Sequence, residues 1–294
     1  MADSLADLFA TQLGPMDIEI WMEPFAGGAG AGLTLLADGN VPELWLVEKN
    51  PALAALWRAV LNRGDELAAR IEATIPDLAI WESARETLLA AEAGQTLDDL
   101  ELGYAAMIVN RCSRSGIVSP RVGPIGGKHQ AGKWTVGARF NAAGIAARIC
   151  DIAALSGRIR FAEGDAVDRI AGLNDSGIGD ELLLFVDPPY IREGSRLYRH
   201  AMTVEDHQAL ADALNQCHTP WLLTYDDEPM VADTLYPDRR ILAYEIPHSA
   251  NRQRIDWEYA VLSDNLTITD NPDLLGRGQT YWLPDRREPN QLAS

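Results

Sequence analysis

One run of residues limits the fold of this chain more than any other. Leu182 to Val186 is apolar throughout and is followed at once by Asp187-Pro188-Pro189-Tyr190. The apolar run predicts a buried strand. Two adjacent prolines end it, because neither has an N–H to give to a ladder. An acid, two residues of fixed φ and an aromatic therefore stand where a strand leaves its sheet. In open α/β sheets that edge is where ligands bind. Taken alone, the stretch is better explained as a Pro-rich turn that Asp187 initiates. The rest of the chain shifts the balance.

The same form recurs upstream. Ile18 to Met22 predicts a first strand, which runs into Glu23-Pro24-Phe25-Ala26-Gly27-Gly28-Ala29-Gly30-Ala31-Gly32 and then a helical run, Leu33 to Ala37. Small residues let backbone approach a ligand, and a helix N-terminus adds N–H groups and the positive end of its dipole. Glu43 to Val47 predicts a second strand ending at Glu48, an acid placed for ribose hydroxyls. Arg158 to Phe161 predicts a third, ending at Gly164-Asp165-Ala166, a turn suited to the amino group of an adenine. Trp221 to Thr224 is the fifth, after Leu182 to Val186, and ends at Tyr225-Asp226-Asp227. Arg240 to Ile246 and Asp256 to Leu262 alternate apolar and polar residues, which predicts two further strands near an edge. The connection between them carries Asn251, Arg252 and Arg254, candidates for touching substrate.

A glycine loop followed by an acid fits any nucleoside-containing cofactor, a nicotinamide dinucleotide included. Two features count against the dinucleotide. The loop is not a clean G-x-G-x-x-G, and it opens with Glu23, where a pyrophosphate would sit. An acid suits a cation better, and S-adenosylmethionine carries a sulfonium and an amino group but no phosphate. Singly, Glu23 and Asp165 are explained by helix or turn capping; together at two strand ends they point to a ligand.

At 294 residues, 47% hydrophobic and 23% charged, the chain can bury a sizeable core as one large domain or one domain with an insertion. No apolar run approaches the ~20 residues of a membrane span. Met1 to Pro15 has no basic n-region, so a cytoplasmic protein without a secretory signal is expected. Cys112, Cys150 and Cys217 form no CxxC pair and predict reduced, mostly buried thiols, and no metal-ligand cluster is expected. Ser4 to Gln12 predicts a helix. Helices are also expected from Pro51 to Leu61, Asp65 to Thr74, Trp81 to Ala91, Leu97 to Arg111, Ala142 to Leu155 and Thr203 to Cys217, the last capped by Thr203. His207 is expected on the surface of that last helix, and Trp134 in the core.

The net charge of -18 argues against nucleic acid, but its distribution argues the other way. From Asn110 to Arg160 nine basic residues are opposed by Asp151 alone. A basic island in an acidic chain is a sharp polyanion signal. Its middle, Cys112 to Trp134, is rich in Gly, Ser, Pro and Arg and predicts loops or a small hairpin.

These pieces together resemble the Dam-like DNA adenine N6-methyltransferases. The matching segments are the Glu23 to Gly30 loop, Glu48-Lys49-Asn50, Asn110-Arg111 with Ser115-Gly116, Gly126-Gly127 with Gln130, Arg139-Phe140-Asn141, Gly164-Asp165, Asp187 to Tyr190, and Tyr225-Asp226. The resemblance covers residues 20 to 263. It implies an α/β fold with a Rossmann-like seven-stranded methyltransferase sheet, mostly parallel with an antiparallel edge strand, and a helical and loop DNA-recognition insertion. The domains would be 1–51 with 142–263 for catalysis, 52–141 as the insertion, and 264–294 as a loosely held tail. S-adenosylmethionine would be held by Glu23, Pro24, Phe25, Gly27, Gly28, Gly30, Glu48, Asp165, Ala166 and Asp187. Asp187, Pro188, Pro189 and Tyr190 would act on an adenine flipped out of double-stranded DNA, Tyr190 as its stacking wall. Arg111, Arg114, Ser115, Arg121, Lys128, Gln130, Lys133, Arg139 and Asn141 would meet the nucleic acid, with Arg139 and Asn141 equally explained as orienting the loop. The resemblance also implies DNA methylation, as in restriction-modification, while RNA stays open as substrate. The family's usual N-terminal Gly-Lys segment has no counterpart before Lys49. That departure leaves two further expectations: a catalytically weak DNA-binding subunit, or a protein partner that completes the cofactor site.

Overall fold

The Leu182 to Val186 run forms strand β4 (Leu182–Val186), buried at every position. It belongs to a computed structural model that describes residues 18–178, 181–191, 202–247, 255–266 and 279–283. The expected helix at Ser4 to Gln12 and the Asn251-Arg252-Arg254 connection lie outside the described residues. The chain divides into two compact units, Met1–Val47 with Gly164–Ser294, and Glu48–Glu163.

The first unit is built on a sheet. Its strands are β1 (Ile20–Glu23), β2 (Glu43–Glu48), β4, β5 (Trp221–Asp226), β6 (Arg240–Pro247), β7 (Ile255–Leu262) and β8 (Thr280–Trp282). They lie in the order β2-β1-β4-β5-β7-β6-β8. β1 pairs in parallel with β2 and with β4, and β4 in parallel with β5. β7 is antiparallel to both β5 and β6, and β8 is antiparallel to β6. The result is a Rossmann-like α/β sheet, mostly parallel, with antiparallel strands toward one side. β6 and β7 lie near one edge, as their alternation suggests, with β7 between β5 and β6. The edge is taken by β8, from the stretch expected to be a loose tail.

Helix α1 (Gly30–Ala37) follows β1, α6 (Ala166–Ala171) precedes β4, and α7 (Val204–Asn215) precedes β5. Leu184 and Val186 of β4, Leu210 and Leu214 of α7, Leu223 of β5 and Ile170 of α6 share one core. Thr203 caps α7 in a capping box: its Oγ1 accepts from Asp206 N at 3.2 Å, and Asp206 Oδ2 accepts from Thr203 N at 2.8 Å. His207, Leu210, Ala211 and Leu214 follow at helical spacing and are buried. His207 is thus on the core face, not on the surface, because it continues the apolar stripe.

The second unit is mainly helical: α2 (Pro51–Glu72), α3 (Leu78–Glu92), α4 (Asp99–Cys112) and α5 (Ala142–Ala154), then strand β3 (Ile159–Glu163). Pro51 stands at the first turn of α2, and Asn50 Oδ1 caps it through Ala52 N at 2.9 Å. α2 runs through both helices expected over 51–74, which meet at a kink at Arg63, where φ is -141° and ψ 36°. A Cβ at Gly103 would lie 2.9 Å from Leu56 Cα, so glycine there lets α4 approach the α2 backbone. Ala146 and Ile149 of α5 pack with Ala59, Val60 and Leu67 of α2. The unit therefore extends past residue 141 to Glu163. Of the cysteines, Cys112 is buried, Cys150 exposed and Cys217 half-buried.

Candidate active site

The sheet order reverses between β1 and β4. From β1 the chain goes to β2 on one side; from β4 it goes to β5 on the other. Connections leaving in opposite directions open a crevice at the carboxyl ends of those two strands. The glycine loop and Asp187 to Tyr190 are what leaves them.

Glu23 closes β1 and is 4% exposed. Its Oε1 accepts from Trp21 Nε1 at 3.0 Å and from Gly32 N at 2.7 Å. Gly32 is in the first turn of α1, whose own N-cap residue, Ala29, is left-handed and gives no side-chain cap. Glu23 therefore caps a helix from the strand before it. That bond needs glycine at 32: a Cβ would lie 2.7 Å from Glu23 Oε1 and 2.5 Å from Leu44 Cδ1. Burial, opposed by those two hydrogen bonds and helped by the charge of Asp187, raises the Glu23 pKa to about 7. Ala26 N donates to Val47 O at 2.9 Å and ties the loop to the end of β2. Gly27, at φ +46°, and Gly28 are exposed, and a Cβ on either would meet nothing within 4 Å. Pro24 is buried, and Phe25 and Gly30 are half-buried.

Asp165 caps α6, its Oδ1 accepting from Val167 N at 2.8 Å, and Ala166 is buried behind it. Both acids suspected of capping do cap. Glu48 begins the second unit, where its Oε1 accepts from Asn50 N at 2.8 Å.

Asp187 follows β4 directly. The residue is exposed, yet the protein around its carboxyl is dense enough that burial raises its pKa, against hydrogen bonds from Thr224 and Tyr190. Thr224 Oγ1 donates to Asp187 Oδ1 at 2.7 Å. Pro188 is buried and Pro189 half-buried. Ile191 N donates to Asp226 Oδ1 at 3.1 Å, so the end of β5 pins the chain just past the two prolines. Tyr190 packs its ring against Tyr225 at 6.5 Å, tilted by 49°. The Tyr225 hydroxyl lies 2.6 Å from His207 Nδ1. Glu258 Oε2 accepts from the Tyr244 hydroxyl at 2.7 Å, and burial, helped by the charge of Asp187, raises the Glu258 pKa to about 7.

Thr224, Asp226, Tyr244 and Glu258 are therefore part of this site, and only Asp226 carried a signal as a strand-end acid. The others are ordinary strand residues in sequence. Two polar residues at paired positions of neighbouring strands, Tyr244 and Glu258, were the available clue.

The nucleic-acid candidates all lie in the second unit, on and after α4. Arg111, Arg114, Ser115, Arg121, Lys128, Lys133, Arg139 and Asn141 are exposed. Ser113 bridges Pro124, and Arg114 N donates to Gly123 O at 3.1 Å, which makes the small hairpin expected there. Several side chains are occupied in shaping it. Arg121 holds Glu92 through two bonds of 3.1 and 3.0 Å. Arg139 donates to Ser113 O, and Asn141 Oδ1 caps α5 through Gly144 N at 3.2 Å. Gln130 uses both ends of its amide inside the loop, on Ile125 O at 2.8 Å, Gly127 O at 2.6 Å and Val136 N at 2.8 Å. Its capacity to read a base edge is spent there. Lys128 and Lys133 make no ion pair among the described residues. Lys133 Nζ lies 5.1 Å from the Trp134 ring, and Trp134 is 63% exposed rather than in the core.

Among the described residues no His, Cys, Asp and Glu group could hold a metal ion, and no helix is long and apolar enough to cross a membrane. No protein-family model and no curated protein matches the chain. Two solved structures of the rRNA methyltransferase AviRa from Streptomyces viridochromogenes are similar to it. They share 15% and 16% identity, cover 89% and 88% of this chain and 84% and 81% of theirs, and have TM-scores of 0.38 and 0.37.

Proposed function

We propose that this chain transfers a methyl group from S-adenosylmethionine to the exocyclic N6 of an adenine flipped out of double-stranded DNA. One observation carries the reading: the Asp187 carboxyl, followed directly by two prolines, is held by Thr224 at the switch point beside the buried acid Glu23. The residues present fit the cofactor. Glu23 offers a carboxylate to a cation, and Gly27 and Gly28 leave their backbone open to close approach. Glu48 and Asp165 are the acids for ribose and adenine. Bound there, S-adenosylmethionine supplies a methyl group activated by its sulfonium.

The chain's own residues supply the rest. The amino nitrogen of adenine is a poor nucleophile because its lone pair is delocalised into the ring. The Asp187 carboxylate and the Pro188 carbonyl accept its two N–H bonds, which frees the lone pair. Acceptors fixed in advance are what lower such a barrier, and Thr224 and Asp226 do the fixing. The base must leave the duplex to be reached. The basic hairpin of the second unit, with Lys128 and Lys133 exposed on it, supplies contacts to phosphate.

The test is transfer of labelled methyl to duplex DNA and to structured RNA, followed by nucleoside digestion. N6-methyladenine in DNA is expected from the wild type and none from Asp187→Ala. Label in RNA alone would move the substrate to RNA, and label on cytosine would reject the assignment of Asp187.

A further inference from the structure

The basic hairpin carries one side chain that its charges do not account for. Trp134 is 63% exposed. A single exposed aromatic is ordinary; what sets this one apart is how its backbone is held and what surrounds it. Ile125 N donates to Cys112 O at 2.9 Å, and Val136, two residues past Trp134, is buried in the core of the second unit. Between those anchors Gln130 clamps the loop, donating to Ile125 O and Gly127 O and accepting from Val136 N. Gln130 does so at φ +49°, a left-handed conformation that a residue other than glycine keeps only where its surroundings fix it. Gly126, at φ +79°, lies against the returning chain: a Cβ there would be 2.6 Å from Trp134 O. The main chain at Trp134 is packed and tied, while its side chain stands in water.

The surroundings are cationic. No Asp or Glu occurs from Arg111 to Cys150, and Lys128, His129 and Lys133 are exposed on the same loop. Lys133 Nζ lies 5.1 Å from the centre of the Trp134 ring. A fixed aromatic among cations suits a polyanion that also offers aromatic faces, which is a nucleic acid. We propose that Trp134 is a base-stacking residue: its indole stacks on an unstacked base of the nucleic acid, while Lys128 and Lys133 hold the phosphates beside it. In an intact duplex each base face is covered by its neighbours, so the indole requires an unpaired base or a step that it can open. The loop is ordered before binding, so little conformational freedom is lost when the base arrives. Trp134 is a binding residue here and is assigned no part in methyl transfer.

Nucleic acid as the partner rests on the proposed function, and the test separates the two. Fluorescence anisotropy gives the affinity for a labelled duplex, for the same duplex with one abasic site, and for a single strand, each across a salt series. Trp134→Leu is expected to weaken binding of the single strand and of the abasic duplex about tenfold. The salt slope should not change, because no phosphate contact is lost. Trp134→Phe should recover most of the loss, since it keeps a ring to stack. Lys133→Ala is expected to lower the slope by about 0.7 to 0.9. Trp134 emission, taken as the difference between wild type and Trp134→Phe, should be quenched by the single strand and shielded from acrylamide. Urea unfolding checks that Trp134→Leu folds, and the emission of the wild type decides if it does not. Wild-type affinity for all three probes in Trp134→Leu overturns the inference and leaves the function standing. A loss that Trp134→Phe does not recover overturns it as well. Quenching by anionic lipid vesicles and not by oligonucleotides would assign the indole to a membrane surface and overturn it too. A wild type that binds no oligonucleotide removes both readings. Stacking in a protein that methylates no adenine would sink the function and leave Trp134 its role.

Discussion

Glu23 carries two duties that pull in opposite directions. As a cap it is fixed by Trp21 and Gly32, and as a buried acid it is costly to ionise. A cation beside it removes that cost, because opposite charge favours the ionised form. The sign follows. Below about 7 the free protein holds Glu23 protonated, and binding a cation must expel that proton. Affinity for S-adenosylmethionine is therefore highest above pH 7 and falls below it, toward about tenfold per pH unit. Calorimetry between pH 5.5 and 7.5 measures this, and Glu23→Gln should bind more weakly with no slope. Thr224 is the second residue to test. Its hydroxyl bond to Asp187 is charge-assisted, and such bonds contribute about 1.5–3 kcal/mol. Thr224→Val is expected to lower kcat by about tenfold or more with KM little changed, since it disturbs the acceptor and not the grip on substrate. An equal rise in KM would instead mean that Thr224 shapes binding.

At the level of elements, glycine decides where β1 and α1 meet. Gly32→Ala would drive a methyl into Leu44, Glu23 and Trp21, all closer than 3.0 Å. Overpacking of this kind costs about 1–3 kcal/mol, and urea unfolding should report it together with loss of the Glu23 titration near 7. The strands and helices that carry this geometry were largely legible. The Leu182 to Val186 run, the glycine loop, Asn50-Pro51 and the Thr203 cap each state their element locally, in residues a few positions apart. What stayed hidden has a common cause. β8 is three residues long and exists by pairing with β6, and Glu258 matters because β7 is inserted between β5 and β6. The Tyr225 hydroxyl that partners His207 in the core comes from β5, eighteen residues away. Contacts made across strands leave no periodic mark in the sequence.

Over the whole molecule the charge is divided, and the division has a measurable consequence. The chain is at -18, so on the proposed function nucleic acid is expected to bind through the basic hairpin. Within that hairpin the cations are not equivalent. Arg121 is engaged with Glu92, and Arg139 with the Ser113 carbonyl, so each would have to leave a partner to reach a phosphate. Among the described residues Lys128 and Lys133 have no ion pair to leave. Each phosphate neutralised contributes about 0.9 to the slope of log affinity against log salt. Lys128→Ala with Lys133→Ala is therefore expected to flatten the slope by about 2, while Arg121→Ala changes it by less than 1 and shifts stability instead through Glu92. Fluorescence anisotropy on a labelled duplex across a salt series gives both slopes. Equal effects from the lysines and from Arg121 would mean that the hairpin rearranges on the duplex, and no effect from either would place the polyanion on another surface.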